Sequence, residues 1–328
     1  MLETLKGALA GAALLALAAA PATAATTLTF GGSDAVGTIL DRGNAMFSEL
    51  VTERTNGEVT VNFISGEQLG TDIDVIQAMM QGSVALYGDV VEWYGNWVND
   101  FNIMSWGFTF DNNDHMQAFL DSDIYAALAE QLREEQGLRI LAAAPTQPRI
   151  LFATRPVQTP DDLTGLKMRV PEIRAYLLLW QTLGTEPSRL AWGEIYLGLS
   201  TGTVEAAEGP VASAYAAKLH QVATNVMRTD HLVSTYHITI NEDVFQSLTP
   251  EQQQIMLDTA REVTQWGRAE AERQTEETVA QMAAEGATIH EVDVAPFAEK
   301  ARAGVEEMEK DGVWSPGLWQ KIRDMAPN

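Results

Sequence analysis

No cysteine occurs in this chain of 328 residues, and only six lysines do. The absence of cysteine excludes disulfide bonds, thiolate zinc sites and a cysteine nucleophile. Positive charge is scarce, because 21 lysines and arginines stand against 45 aspartates and glutamates, which gives a formal net charge of −24. That excess argues against nucleic acid and anionic membrane surfaces as partners. The length and the hydrophobic fraction of 46% instead indicate a folded protein of about two domains.

The first 24 residues have the pattern of a secretory signal. Lys6 supplies a positive charge, a run of apolar and small residues extends from Ala8 to Ala20, and residues 22–24 (ATA) are typical of a cleavage site. The run is too short to cross a bilayer, for which about 20 residues are needed. We therefore expect residues 1–24 to be a signal peptide and the mature protein to reach a bacterial periplasm.

Strand patterns and helix patterns alternate along the rest of the chain. Apolar and polar residues alternate at 27–31 and 59–63, and an amphipathic helix pattern between them stops at Asn56-Gly57. Further strands are predicted at 138–143 and 149–154. The alternation predicts an α/β fold on a parallel sheet with covered faces.

A long helix is predicted after Thr249. Thr249 is a good N-cap, Pro250 suits the first helical position, and the helical pattern continues past Gly267 to about residue 284. A helix of that length can bridge two lobes. Because no flexible linker occurs in the sequence, we expect the two lobes to be interleaved.

Motifs for catalysis and cofactor binding are incomplete. The glycine-rich segment at 31–37 lacks the last glycine of a nucleophile elbow and the lysine of a phosphate-binding loop. The five histidines lack zinc-type helical spacing, and the acidic residues at 111–114 lack the rest of a calcium loop. We therefore expect no catalytic residue, no metal and no cofactor. An exported hydrolase that uses a pair of carboxylates stays open as an alternative.

Arginine outnumbers lysine by fifteen to six, and Arg149 and Arg169 both lie in short apolar strands. A guanidinium offers planar, bidentate donors that match a carboxylate or a sulfonate. These two arginines can therefore recognise an anionic ligand, or each can pair with a structural aspartate or glutamate. The residues alone do not decide between the two interpretations.

Several segments resemble motifs of a known family. Residues 63–70 (FISGEQLG) are similar to FPGGQLG, residues 159–171 (TPDDLTGLKMRVP) to TPDDLKGLKIRVP, and residues 183–205 to a pattern that ends in TGVVDG. On these motifs the chain resembles the periplasmic solute-binding proteins of tripartite ATP-independent periplasmic (TRAP) transporters, of the DctP type. The similarity covers essentially the whole mature chain.

The resemblance implies a two-lobed periplasmic-binding-protein-like α/β fold with interleaved lobes, a ligand cleft and a long bridging helix. We place lobe I in residues 25–146 and 235–274, and lobe II in residues 147–234 and 275–328. It also implies a monomeric receptor that closes by a hinge around a small organic anion. The receptor would then deliver the anion to integral-membrane permease subunits.

The resemblance also implies the ligand contacts. Arg169, in the KMRVP strand, corresponds to the arginine that clamps the ligand carboxylate, and Arg149 to a second, more variable arginine. Trp192 corresponds to an aromatic residue that packs on the ligand. Gly209 replaces the family's asparagine, which is often a third carboxylate contact, so the substrate of any one member cannot be copied.

Three acidic residues, Glu67, Glu172 and Glu208, lie beside the matched segments. If they face the cleft, they can accept hydrogen bonds from ligand hydroxyls or meet an ammonium group. A sugar acid or a hydroxy acid fits two arginines with acidic acceptors, but a zwitterion such as ectoine or a sulfonate such as isethionate fits them too. A sensory protein that delivers its ligand to a receptor kinase is a further alternative.

Overall fold

The computed structural model describes residues 25–327. The expected signal peptide at 1–24 lies outside the described residues. The strands are β1 (Thr26–Gly31), β2 (Val59–Ile64), β3 (Leu86–Asp89), β4 (Leu138–Ala153), β5 (Lys167–Val170), β6 (Glu186–Arg189), β7 (Ala206–Pro210), β8 (Asn225–Asn241) and β9 (Thr288–Glu291). The α-helices are α1 (Ile39–Arg54), α2 (Asp72–Met80), α3 (Asn113–Leu120), α4 (Asp123–Gln136), α5 (Arg174–Leu183), α6 (Ile195–Ser200), α7 (Val211–Ala216), α8 (Leu219–Val222), α9 (Glu242–Ser247), α10 (Pro250–Ala284), α11 (Ala295–Ala303), α12 (Val305–Lys310) and α13 (Leu318–Arg323). Short 3₁₀ segments occupy Val91–Asn96, Asn99–Ser105, Pro160–Leu163 and Trp192–Glu194.

One mixed sheet organises the described part of the chain. Its strands follow the order β2-β1-β3-β8-β4-β7-β5-β6, and β9 pairs with β8. On one side, β1 is parallel to β2 and β3, and on the other β5 is parallel to β6 and β7. In the centre, β8 is antiparallel to β3 and β4, and β4 is antiparallel to β7. The predicted α/β class is confirmed, but the prediction of a parallel sheet is wrong for the central strands.

The two long central strands explain this difference. β4 has 16 residues and β8 has 17, where the sequence predicts two short strands in place of β4. The chain passes through Pro145 and Pro148 without ending the strand, because the register with β8 shifts between them. A proline lacks an N–H, so it is tolerated where a shift in register interrupts the ladder. Strands of this length join both sides of the sheet directly and need no helical crossover.

The predicted bridging helix is confirmed as α10, which has 35 residues. Thr249 caps it by accepting a hydrogen bond from the Gln252 N–H, and Pro250 takes the first position. The first part of α10 contributes Val263 to an apolar cluster with β1 and α1, and the last part contributes Val279 to another around β7. The helix therefore connects two separate cores. No helix within residues 25–327 is long and apolar enough to cross a membrane.

Candidate functional site

A small cavity of about 50 Å³ lies between the two sides of the sheet. Two groups of residues line it. We call Asp34, Asp72 and Asp89 the acidic wall, and Arg149, Arg169 and Trp192 the arginine wall. Other lining residues include Ser33, Trp93, Tyr176, Pro210 and Ser213.

The sheet brings the acidic wall together. Asp34 follows the end of β1, Asp89 is the last residue of β3, and Asp72 is the first residue of α2. Because β1 and β3 are parallel neighbours, their carboxyl ends lie at the same edge of the sheet, where ligands of α/β proteins bind. The three residues are 8%, 4% and 8% exposed, so they face the cavity rather than bulk solvent.

Each carboxylate of the acidic wall accepts a hydrogen bond from a neighbouring hydroxyl. The donors are Ser213 Oγ to Asp34 (2.8 Å), the Tyr87 hydroxyl to Asp72 (2.5 Å) and Ser33 Oγ to Asp89 (2.7 Å). Burial, together with the charges of neighbouring aspartates, raises the pKa of Asp34 to about 6 and the pKa values of Asp72 and Asp89 to about 7. The acidic wall therefore exchanges protons close to neutral pH.

Arg169 lines the cavity, and one of its guanidinium nitrogens has no hydrogen-bond partner among the described residues. It is the third residue of β5 and is only 2% exposed. Nε and Nη2 donate to the carbonyl oxygen of Leu190 at 3.0 and 2.8 Å, while Nη1 is buried and has no hydrogen-bond partner among the described residues. The ring centre of Trp192 lies 5.6 Å from the guanidinium carbon. Burial lowers the pKa of Arg169 to about 10, so the side chain stays cationic at neutral pH.

Arg149 is paired with an acidic residue of the neighbouring strand. Its Nε and Nη2 donate to the two carboxylate oxygens of Glu208, in β7, at 2.5 and 2.7 Å. Glu208 is fully buried, and His231 Nε2 lies 3.3 Å from its Oε2. Although burial opposes ionisation, the Arg149 guanidinium holds the pKa of Glu208 well below its usual range. Glu208 is thus a structural acceptor for Arg149, the second of the two interpretations for a strand arginine.

The other two acidic candidates occupy different places. Glu67 is half-buried, and its Oε2 accepts a hydrogen bond from the Gly193 N–H at 3.3 Å, directly beside Trp192. Burial raises the pKa of Glu67, and the charge of Asp72 raises it further. Glu172 is exposed and lines a neighbouring cavity instead.

Gly209 has a packing reason for lacking a side chain. A Cβ atom at this position would lie 2.8 Å from Cη2 of Trp192, which is shorter than real Cβ contacts. The glycine therefore lets the indole ring lie against β7. The structure brings Arg149, Arg169 and Trp192 to one cavity and keeps Gly209 behind the ring.

The sequence interpretation missed the acidic wall. Asp34 lies in the glycine-rich segment that fails as a nucleophile elbow, and Asp72 lies just after the matched segment at 63–70. The signal that could have found them is position, because both follow predicted strands whose carboxyl ends share one edge of the sheet. Asp89, at the end of the third strand, fits the same rule.

Comparisons with known proteins agree on one family. The family model described as "Bacterial extracellular solute-binding protein, family 7" matches residues 30–311. The TRAP periplasmic solute-binding protein of Roseobacter denitrificans solved with bound L-galactonate is 25% identical, with a TM-score of 0.84 over 92% of this chain and 98% of that one. A second protein of that organism, solved with β-D-glucuronate, is 27% identical, with a TM-score of 0.85 over 90% and 99% of the two chains. The C4-dicarboxylate-binding periplasmic protein DctP of Rhodobacter capsulatus is 27% identical over 290 residues, 87% of each chain. These neighbours confirm the predicted two-lobed fold, whereas the lobe boundaries stay a prediction.

Proposed function

Because the chain belongs to bacterial extracellular solute-binding protein family 7, we propose that it holds a small organic acid between its acidic wall and its arginine wall. The chain is a solute-binding protein of the TRAP type, and the related proteins are named as receptors of solutes. The periplasm is the compartment in which we place it, and integral-membrane permease subunits are the partners that we propose for ligand delivery.

The observation that carries this proposal is the free Nη1 of Arg169. A buried guanidinium nitrogen without an acceptor costs free energy, and an ionised carboxylate removes that cost with a charge-assisted hydrogen bond. The other two nitrogens donate to the Leu190 carbonyl, so the orientation of the guanidinium is fixed before the ligand arrives. Trp192, beside the guanidinium, offers an apolar face to the carbon skeleton of the ligand.

The remaining predicted residues mainly hold other parts of the site in position. Arg149 lines the cavity, and its charge is balanced by the buried carboxylate of Glu208. Glu67 holds the loop of Trp192 through the Gly193 N–H. Glu172, in the neighbouring cavity, takes no part in ligand contact under this proposal.

Ligand capture proceeds by hinge closure in this proposal. Two hydrogen bonds join segments that we assign to different lobes, from Ser213 to Asp34 at 2.8 Å and from the Gly193 N–H to Glu67 at 3.3 Å. Closure around the acid would exclude water and strengthen the ion pair with Arg169, because the local dielectric falls. The closed form would then be the one that the permease subunits bind, selected by its higher affinity for the ligand.

The test is isothermal titration of hydroxylated monocarboxylic acids, beginning with L-galactonate and D-glucuronate, into the wild type and into Arg169 variants. Arg169→Lys keeps the charge but loses the planar fork, so we expect the affinity to fall about 10- to 100-fold, and Arg169→Ala to abolish binding. The control is Arg155→Ala, since Arg155 is exposed. Wild-type affinity in Arg169→Ala would contradict the proposal. Consumption of the bound acid would favour the hydrolase alternative.

A further inference from the structure

The acidic wall places a demand on the ligand that Arg169 alone does not. We infer that this receptor selects acids with a single carboxylate whose other end carries hydrogen-bond donors, and that the acidic wall rejects a second carboxylate. The inference rests on the proposed function, since it assumes that the first carboxylate binds at Arg169. It names Asp34, Asp72 and Asp89 as residues that determine specificity.

The two walls come from different sides of the sheet. The acidic wall is carried by the segments at β1, α2 and β3, and the arginines lie in β4 and β5 on the other side of β8. All of these residues line one small cavity. A carboxylate at Arg169 therefore directs the rest of a small ligand towards the acidic wall.

The charges of the lining are unbalanced. Within the described lining the cations are Arg149 and Arg169, and Arg149 is already paired with Glu208, which is fully buried. Arg169 is thus left to balance both the ligand carboxylate and three aspartates. A second ligand carboxylate would bring another negative charge to a buried group of acids, which costs free energy unless a cation accompanies it.

The hydrogen-bonding capacity of the acidic wall points the same way. At pH 7.5, above the pKa values of about 6 and 7 in the acidic wall, its carboxylates are mostly ionised. An ionised carboxylate accepts at about four lone-pair sites and donates nothing. The hydroxyls of Ser213, Tyr87 and Ser33 each supply one hydrogen bond to the wall, and the Val90 N–H supplies a fourth, to Asp89. Acceptor capacity therefore remains for the ligand. A ligand hydroxyl or ammonium group can donate to these oxygens, whereas an ionised ligand carboxylate cannot.

Membership of the family does not fix this preference. A relative 27% identical to this chain is named a C4-dicarboxylate-binding protein, whereas two solved neighbours hold L-galactonate and β-D-glucuronate, which each carry one carboxylate. The selection must therefore come from residues of this chain, and the acidic wall supplies a physical cause for it.

The experiment uses two series of acids that differ only at the far end. The first is 4-hydroxybutyrate, 4-aminobutyrate and succinate, and the second is gluconate, 6-amino-6-deoxygluconate and glucarate. Affinities are measured by titration calorimetry at pH 7.5 with the wild type, Arg169→Ala, Asp72→Asn and Asp34→Asn. Asp123→Asn, at an exposed position, is the matched control.

We expect the diacid to bind at least 30-fold more weakly than the better donor-bearing acid of its series. Asp72→Asn or Asp34→Asn should narrow that ratio at least fivefold, and Asp123→Asn should leave it unchanged. If the amino-substituted acid of a series binds more tightly than the hydroxy acid, an ammonium group is the preferred donor. The reverse order identifies hydroxyls as the preferred donors. Either order supports the inference.

Three results would overturn the inference, and they are distinguishable. If the diacids bind as tightly as the donor-bearing acids and lose affinity in Arg169→Ala, the selectivity is wrong while the proposed function stands. If none of the six acids binds to the wild type, both the selectivity and the carboxylate site at Arg169 are wrong. The third result is an affinity ratio between donor-bearing acid and diacid that is the same in both aspartate variants as in the wild type. If circular dichroism shows both variants folded, the acidic wall is then not the cause of the selectivity.

Discussion

Trp192 lies where it does because strand β7 has a glycine beneath it. The Cβ that another residue would add at Gly209 falls 2.8 Å from the indole ring. The ring in turn lies 5.6 Å from the guanidinium carbon of Arg169, so the glycine, the tryptophan and the arginine form one packed unit. A cation and an aromatic face at that separation attract each other, by about 0.5–2 kcal/mol.

The variant Gly209→Asn tests this unit. We expect the new side chain to displace Trp192, to lower the affinity for the acid about tenfold and to lower the melting temperature by a few degrees, because overpacking a buried site costs about 1–3 kcal/mol. Gly202→Asn is the control, since its φ is +74° with open space around it, and asparagine tolerates that conformation. Calorimetry and thermal melting give the answer. Tighter binding in Gly209→Asn would show that an asparagine contact matters more than the position of the ring.

Sequence alone could predict the arginine wall but not the acidic wall. Arg169 and Trp192 belong to matched motifs, so the resemblance marks them directly. Asp34, Asp72 and Asp89 are separated by long stretches of chain, and an aspartate after a strand has the same appearance in sequence as an exposed loop residue. Only the alignment of β1 with β3 and the burial of all three show that they share a cavity.

At the scale of elements, Tyr236 of β8 joins two helices. A Cβ at Gly43 of α1 would lie 2.6 Å from its hydroxyl oxygen, and one at Gly267 of α10 would lie 2.9 Å from its ring. Its hydroxyl also donates to Asn44 at 2.8 Å. Glycines on both helices therefore allow α1 and α10 to approach the same side chain of the central sheet.

Gly267→Ala tests whether the close packing of α10 against Tyr236 affects stability more than helix propensity does. Alanine is favoured over glycine inside a helix by about 1 kcal/mol, but its methyl group would meet the buried Tyr236 ring. Overpacking costs about 1–3 kcal/mol, so we expect a net loss of up to about 2 kcal/mol in the free energy of unfolding, measured by urea denaturation. The control is Gln265→Ala, at an exposed position of α10 two residues earlier. It should change the free energy of unfolding by less than about 0.5 kcal/mol. A more stable Gly267→Ala would refute close packing of α10 at this point.

The elements themselves were predicted unevenly. The bounds of α10 follow from an N-cap threonine, a proline at the first helical position and a continuous helical pattern, which are local signals. The continuity of β4 through Pro145 and Pro148 is a tertiary effect, because it depends on the shifted pairing with β8. Local propensity predicts an interruption there, and the long-range ladder overrides it.

For the whole molecule, the net charge of −24 opposes the approach of an acid. Part of that charge lies in the cavity, where buried carboxylates keep their protons to a higher pH than exposed ones. Asp72 has a folded pKa of about 7 against an ordinary value of 3.8. The folded state therefore binds more protons than the unfolded state between these values. This contribution to stability is fully present below about pH 4 and is lost as the pH rises through 7.

Asp72→Asn should remove that contribution. Relative to the wild type, we expect the variant to gain about 2 kcal/mol in the free energy of unfolding as the pH rises from 5 to 8. Glu270, whose pKa is lowered to about 2 by hydrogen bonding to Arg273, has the opposite dependence, and the variant leaves it unchanged. Urea denaturation at the two pH values measures the difference, with Asp123→Asn as the exposed control. An equal gap between Asp72→Asn and the wild type at both pH values would contradict the assignment.

The architecture of the whole molecule could be predicted because the matched motifs run along nearly the entire chain. The mixed pairing in the centre of the sheet could not be, since alternating strands and helices indicate parallel strands wherever no long-range contact is known. The positions at which the chain crosses between lobes, near residues 146, 234 and 274, stay predictions for the same reason.

The crystal structure of the complex with the tightest acid from the titrations tests the central claim most directly. The account predicts a ligand carboxylate oxygen about 3 Å from Nη1 of Arg169, with ligand hydroxyl or ammonium groups directed at Asp34, Asp72 or Asp89. A carboxylate bound away from Arg169, or a ligand outside the cavity between the two walls, would contradict it.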